Sequence, residues 1–348
     1  MKKLLLHTTI ILFLIVLLNQ LAIRSSKVYK DGASIVCEEK RIAVRKKIWK
    51  ASEDKINVLY FGASGILTAL IPEVFDSVLN QQTYSMNLAL PALPIGSYYH
   101  YFLDYLENNP APEHIIMTYH VDDEPILLFN TYGNQGINFP REVVSYFLNR
   151  PDKNQIINYL LPFHVYWKSL FRYYYNSVFN PSHIEETSKR NELIVRDMIK
   201  ERGYYFIMEQ ARFPDGRLPE NYMEESDCPD CELKIFDPDT DVYVDRFFKL
   251  TKELNVEVLL ISYPVRKGVY KQFETTPEPI RKLVDRYENI SIPSDGWKLP
   301  FYPNKYFSDP VHLNKSGALL FTKDIAQEFN RIYLEREGDK YVGRHIQK

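Results

Sequence analysis

Residues 56–61, Ile-Asn-Val-Leu-Tyr-Phe, form a short and nearly continuous apolar run that passes directly into Gly62-Ala63-Ser64-Gly65. A strand apolar along its whole length belongs in a parallel sheet covered on both faces. A turn of small residues straight after it, followed by a helical stretch over 67–79, is the opening of an α/β unit. The same rhythm continues with a strand at 83–88, a turn at 91–95 and a helix at 97–107. The breaker run Asn-Asn-Pro-Ala-Pro precedes a third strand at 114–119. The rhythm lapses over 121–235, which contains an aromatic block at 159–175 and reads as a mainly helical insertion. It resumes with a helix at 241–254, an apolar strand at 256–262 and a closing helix at 315–333. Alternating β and α elements predict a flavodoxin-like three-layer sandwich, with a central parallel sheet and right-handed crossovers.

The amino-terminal end follows a different rule. Lys2 and Lys3 precede 20 residues, 4–23, without a single Asp, Glu, Lys or Arg. At ~1.5 Å per residue, about 20 residues cross a ~30 Å hydrocarbon core. The run exceeds a usual signal-peptide core and no Ala-x-Ala site follows it, which predicts an uncleaved signal anchor over 1–24. Lys2 and Lys3 favour an orientation that leaves the rest of the chain outside the cytoplasm, although Arg24, Lys27 and Lys30 dilute that bias. A charged juxtamembrane linker at 25–55, with one helix over 38–52, leads into the α/β domain at 56–335. A polar tail at 336–348 ends the chain.

A formal net charge of -2 provides no global field for nucleic acid. The 26 Tyr and 20 Phe can fill a core, line a sugar site or face a membrane interface. Cys37, Cys228 and Cys231 make an odd count, which argues against a disulfide-stapled scaffold. Cys228-Pro-Asp-Cys231 lacks the thioredoxin-like unit or second ligand pair that a redox or zinc role needs. A local disulfide or two inert thiols are the remaining readings.

Open α/β sheets bind ligands outside the carboxyl ends of their strands. Ser64 sits there, three residues past the first strand. Its own N–H and that of Gly65 open a helix, where developing negative charge is stabilised. The pattern Gly-x-Ser-x-Gly is not met, because residue 66 is Ile. A serine is a poor nucleophile without a base, and a histidine base needs an acceptor that fixes its tautomer. Asp309 and His312, in Asp-Pro-Val-His-Leu-Asn before the closing helix, have the types and spacing for those two roles. No further His or carboxylate in that loop supports a metal, and no cofactor is expected. Arg266, in Tyr-Pro-Val-Arg after the strand at 256–262, is a candidate for an anionic group or a surface ion pair.

Gly-x-Ser after strand one and Asp-x-x-His-Leu-Asn before the last helix, within such an alternation, resemble the SGNH (GDSL-like) hydrolase superfamily over about 55–333. With the amino-terminal anchor, the chain is similar to D-alanyl-lipoteichoic-acid biosynthesis proteins, to periplasmic acyltransferases of envelope polysaccharides and to anchored SGNH-like proteins of spirochaetes. The resemblance implies Ser64 as nucleophile, His312 as base and Asp309 as the orienting acid. It implies acyl-ester chemistry on an envelope glycan or lipid as substrate; the aromatic block at 159–175 is a candidate to stack on sugars, to dock on a membrane-protein partner or to pack on the main domain. The superfamily's second oxyanion donor falls at Asn87-Leu88-Ala89, where the Ala89 N–H is the candidate. Its third, in a Gly-x-Asn after strand three, is replaced by Thr118-Tyr119-His120-Val121-Asp122-Asp123. Gly65, Asn87, Ala89 and His120 are thus the candidate oxyanion and substrate contacts. The missing Gly-x-Asn sustains an alternative, a binding or assembly module on the same scaffold.

Overall fold

The structure is a computed structural model that describes residues 2–25, 48, 52, 55–90, 95–119, 171, 174–205 and 216–335. His120, Cys37, the turn at 91–94 and the tail at 336–348 lie outside the described residues, as do most of the linker and of the aromatic block. The strands are β1 Val58–Phe61, β2 Ser85–Asn87, β3 His114–Thr118, β4 Glu257–Ile261, β5 Val265–Arg266, β6 Ile290–Ser291 and β7 Phe301–Tyr302. The helices are α1 Lys2–Ser25, α2 Ser64–Leu67, α3 Pro72–Val78, α4 Tyr98–Leu106, α5 Pro181–Lys200, α6 Val242–Glu253, α7 Glu278–Arg286 and α8 Lys315–Phe329.

Two units divide the chain, 1–44 with 124–196 and 45–123 with 197–348. In the first, α1 is an unbroken helix of 24 residues. Its side chains are described over 6–19 and at 21, and Leu6, Ile10, Phe13 and Leu18 among them are exposed. Among the described residues no helix is long and apolar enough to cross a membrane, so the transmembrane expectation finds no support there. Helix also covers 174–179 and α5, and Phe171, Tyr175 and Phe179 succeed one another at helical spacing on an exposed face.

The second unit holds the sheet. Five parallel strands run in the order β2-β1-β3-β4-β6. All four residues of β1 are buried, as an apolar run flanked on both sides requires. Successive side chains point to opposite faces. Tyr60 packs edge-on to Phe75 of α3, which in turn meets Phe329 of α8. Phe61 contacts Tyr98, Tyr101 and Phe102 of α4 and Phe247 of α6. Helices therefore cover both faces, and the mixed α/β architecture with a central parallel sheet is as expected.

The edge strand β2 is not left open. The Asn87 N–H donates to Arg202 O at 2.9 Å, and Arg202 pairs at 2.6 Å with Asp76, which also accepts from Thr83 and the Ser85 N–H. This protects the edge from further pairing. The helix expected at 67–79 is broken in two, because Pro72 opens α3 and leaves 68–71 as a connector. The described residues 216–235 of the expected helical insertion contain no α-helix and belong to the sheet unit.

Candidate active site

Ser64 begins α2 immediately beyond β1, at the carboxyl end of the sheet. The chain leaves β1 for β2 on one side and returns to place β3 on the other, so Ser64 lies where the strand order reverses. Gly62 is required there: a Cβ would lie 2.6 Å from that of Ile66 and 2.9 Å from Thr118 Oγ1. Gly65 faces Tyr263, whose Cβ would be 3.4 Å from an added Cβ. The turn is half-buried. Among the described residues the N–H groups of Ser64 and Gly65 donate to no acceptor, while Ile66 and Leu67 already donate to Ala63 O.

Asp309 and His312 form a closed unit. The Asp309 Oδ2 to His312 Nδ1 distance is 2.7 Å. Asp309 Oδ1 accepts from the N–H groups of Val311 at 2.9 Å and His312 at 2.8 Å. Partial burial pushes the Asp309 carboxyl up, but the bonds from His312 and the two N–H groups outweigh it and hold its pKa below the usual value. The ionised acceptor fixes hydrogen on Nδ1 and leaves the Nε2 lone pair available. His312 Nε2 is buried and has no hydrogen-bond partner among the described residues. Ser64 Oγ and His312 Nε2 are not hydrogen-bonded; such bonds are often long before substrate is present.

One four-residue step connects the two halves. Tyr263, just beyond β4, lies against Gly65, and Arg266, three residues on, donates through Nε to Pro310 O at 2.8 Å. The helices after each half are tied as well. Thr322 Oγ1 of α8 accepts from the Ile71 N–H at 3.0 Å and donates to Ala69 O at 2.9 Å. Asn314 caps α8 by accepting from the Gly317 N–H.

The other expected positions divide differently. Asn87 is fully buried and donates to Ile66 O and Leu70 O, so it holds the segment behind Ser64. The Ala89 N–H, expected as an oxyanion donor, is buried and donates to Asn87 Oδ1 at 2.9 Å. This corrects the expectation: the side chain two residues earlier takes that N–H into an Asx-type turn. Arg266 is not a surface cation. Its side chain is 3% exposed and pairs at 2.6 Å with Asp227, 4% exposed. Cys228 and Cys231 form a local disulfide.

The segment 216–227 was not anticipated as part of the site. The Leu218 N–H donates to Phe307 O, and Asn304 Nδ2 donates to the carbonyls of Pro219, Glu220 and Tyr222. Asn314 Nδ2 donates to Gly216 O and Lys305 O. These side chains replace a regular ladder, so period gives no signal for the segment; the nearest cue is a charged residue beside the Cys-x-x-Cys pair. Among the described residues no group of His, Cys, Asp or Glu is arranged to hold a metal ion. No family model matches this chain, and no curated protein matches it significantly.

Proposed function

We propose that the protein is an SGNH-type serine acyl-ester hydrolase or O-acyltransferase, anchored at the membrane by its amino-terminal helix and acting outside the cytoplasm on an acylated envelope glycan or lipid. The observation that carries this reading is the 2.7 Å contact between Asp309 and His312 Nδ1, with Nε2 buried and without a hydrogen-bond partner among the described residues. That arrangement is a general base awaiting a proton. Ser64 Oγ attacks the acyl carbon while Nε2 takes its proton. The N–H groups of Ser64 and Gly65 stabilise the oxyanion, and the tetrahedral species collapses as His312 protonates the leaving alkoxide. Water or a glycan hydroxyl then attacks the acyl-enzyme by the same route. The strand order, which is that of flavodoxin-like sheets, and the place of Ser64 at its reversal are consistent with this fold family. The anchor rests on the amino-terminal sequence, the run 4–23 without Asp, Glu, Lys or Arg.

One observation favours a second reading, an assembly module with little activity. The Ala89 N–H is already taken by Asn87, and losing one oxyanion donor typically costs about 100- to 1000-fold in turnover. A fluorophosphonate probe applied to the full chain, beside Ser64→Ala, separates the two. Labelling that vanishes in Ser64→Ala, with hydrolysis of a short-chain aryl ester, supports the enzyme. Neither labelling nor hydrolysis in the wild type excludes it and leaves the module.

A further inference from the structure

We infer that Arg266 is a positioning residue for the Asp309–His312 pair, held in aim by its buried partner Asp227; the activity arm of this inference rests on the hydrolase reading above.

The peptide between Pro310 and Val311 is gripped at both ends. Its carbonyl oxygen accepts from Arg266 Nε at 2.8 Å, and its N–H donates to Asp309 Oδ1 at 2.9 Å. Fixing the orientation of that peptide fixes the carboxylate it serves, and therefore the direction in which Oδ2 meets His312 Nδ1. The guanidinium is itself held on its other sides. One terminal nitrogen pairs with Asp227 at 2.6 Å, the other reaches Tyr222 O at 3.5 Å, and the group lies 5.3 Å from the Tyr222 ring centre. Asp227 is set in turn by the Glu224 N–H, which donates to its Oδ2 at 2.9 Å. The next residue begins the disulfide loop, whose backbone is stitched to Val269 and Lys271.

Stability alone does not account for this arrangement. A buried ion pair is often replaced by apolar residues of similar volume at no loss of stability. What the planar fork supplies, and a lysine does not, is several hydrogen bonds in fixed directions. Here one of those directions ends on the loop that carries the base.

The test uses the full chain in detergent micelles with ¹⁵N-labelled histidine, His312 being assigned through His312→Gln. The double variant Asp227→Leu with Arg266→Met removes both charges, so no unpaired buried charge remains. It is expected to melt as the wild type does. Its His312 ring shifts should move from the Nδ1–H tautomer to a mixture containing Nε2–H, and Ser64 should react with the phosphonate at least about tenfold more slowly. A folded double variant with wild-type ring shifts and labelling rate overturns the inference, as does a wild-type His312 that lacks the Nδ1–H tautomer. Should the double variant not fold, Arg266→Lys decides on the same readouts, because it keeps the charge beside Asp227 and loses the fork; wild-type shifts and rate there overturn the inference too. If wild-type Ser64 fails to label, the hydrolase reading falls, while the ring shifts still decide the role of Arg266.

Discussion

Acid should loosen the sheet unit through His114, at the opposite end of the strands from Ser64. The imidazole opens β3 and packs against Phe329 at 4.8 Å and Tyr333 at 4.7 Å, with Nδ1 buried and without a hydrogen-bond partner among the described residues. Burial pushes its pKa down from 6.5 to about 4. The unfolded chain therefore takes up a proton at this residue near pH 6.5, and the folded chain does so only near pH 4. Stability from the neutral ring is complete above pH 6.5 and is lost as the pH falls towards 4. At roughly 1.4 kcal/mol per pH unit the whole loss is about 3 kcal/mol, of which about 2 kcal/mol has gone by pH 5. Asp309 adds little in this window. Its pKa is depressed, so its contribution is present above the ordinary aspartate value of about 3.9 and disappears only as the pH falls through its lowered one. His114→Phe keeps an aromatic ring against Phe329 and Tyr333 and removes the titrating nitrogens. Urea unfolding followed by tryptophan fluorescence at pH 8 and pH 5, on wild type and variant, measures the difference. The wild type should lose about 2 kcal/mol more than His114→Phe between those two conditions. Parallel losses in both proteins would refute the assignment.

In Asp309→Asn, the amide oxygen still accepts from the Val311 and His312 N–H groups, but an NH₂ now faces Nδ1. The imidazole should adopt the Nε2–H tautomer and phosphonate labelling of Ser64 should slow by about 1000- to 10,000-fold; an unchanged rate would remove Asp309 from the mechanism. Thr322→Val keeps the shape of a fully buried side chain and strips both the Ile71 N–H and the Ala69 carbonyl of their Thr322 bonds. A loss of about 3 kcal/mol in chemical denaturation is expected, and a loss under about 0.5 kcal/mol would contradict that account.

What the sequence makes legible is what local chemistry decides. The apolar runs at 56–61 and 256–262 become β1 and β4 with only their ends trimmed, since a buried parallel strand needs little beyond a continuous apolar stretch. Asp309 and His312 are three residues apart, and their pairing follows from a loop too short to hold them far apart. Pro72 carried a signal that a reading of helical period alone overrides: a proline inside an apparent helix marks a new start. The two-residue strands β5, β6 and β7 exist only through their neighbours, so no periodicity announces them. Ala89 illustrates a similar limit. Its place after β2 makes it look like a donor to substrate, and only the rotamer of Asn87 reveals that the N–H is engaged. Arg266 and Asp227 lie 39 residues apart, a separation across which a charge pair has no sequence signature.

The two halves of the site are each rigidly held, yet by different parts of the molecule. Asn87 Nδ2 grips the carbonyls of Ile66 and Leu70 behind Ser64. Asn304, Asn314 and Arg266 hold the loop behind His312. Among the described residues no hydrogen bond runs directly from 62–65 to 307–313. Indirect connections run between them, among them the Thr322 bonds from α8 to Ala69 and Ile71 before α3 and the step from Tyr263 to Arg266. A nucleophile and its base must meet to within a few tenths of an ångström, whereas packed helices slide by more than that at small cost. On that footing the distance between Ser64 and His312 can change without either half unfolding. The Tyr263 end of that step lies beside Gly65, whose N–H donates to no acceptor among the described residues and is an oxyanion donor in the proposed reaction.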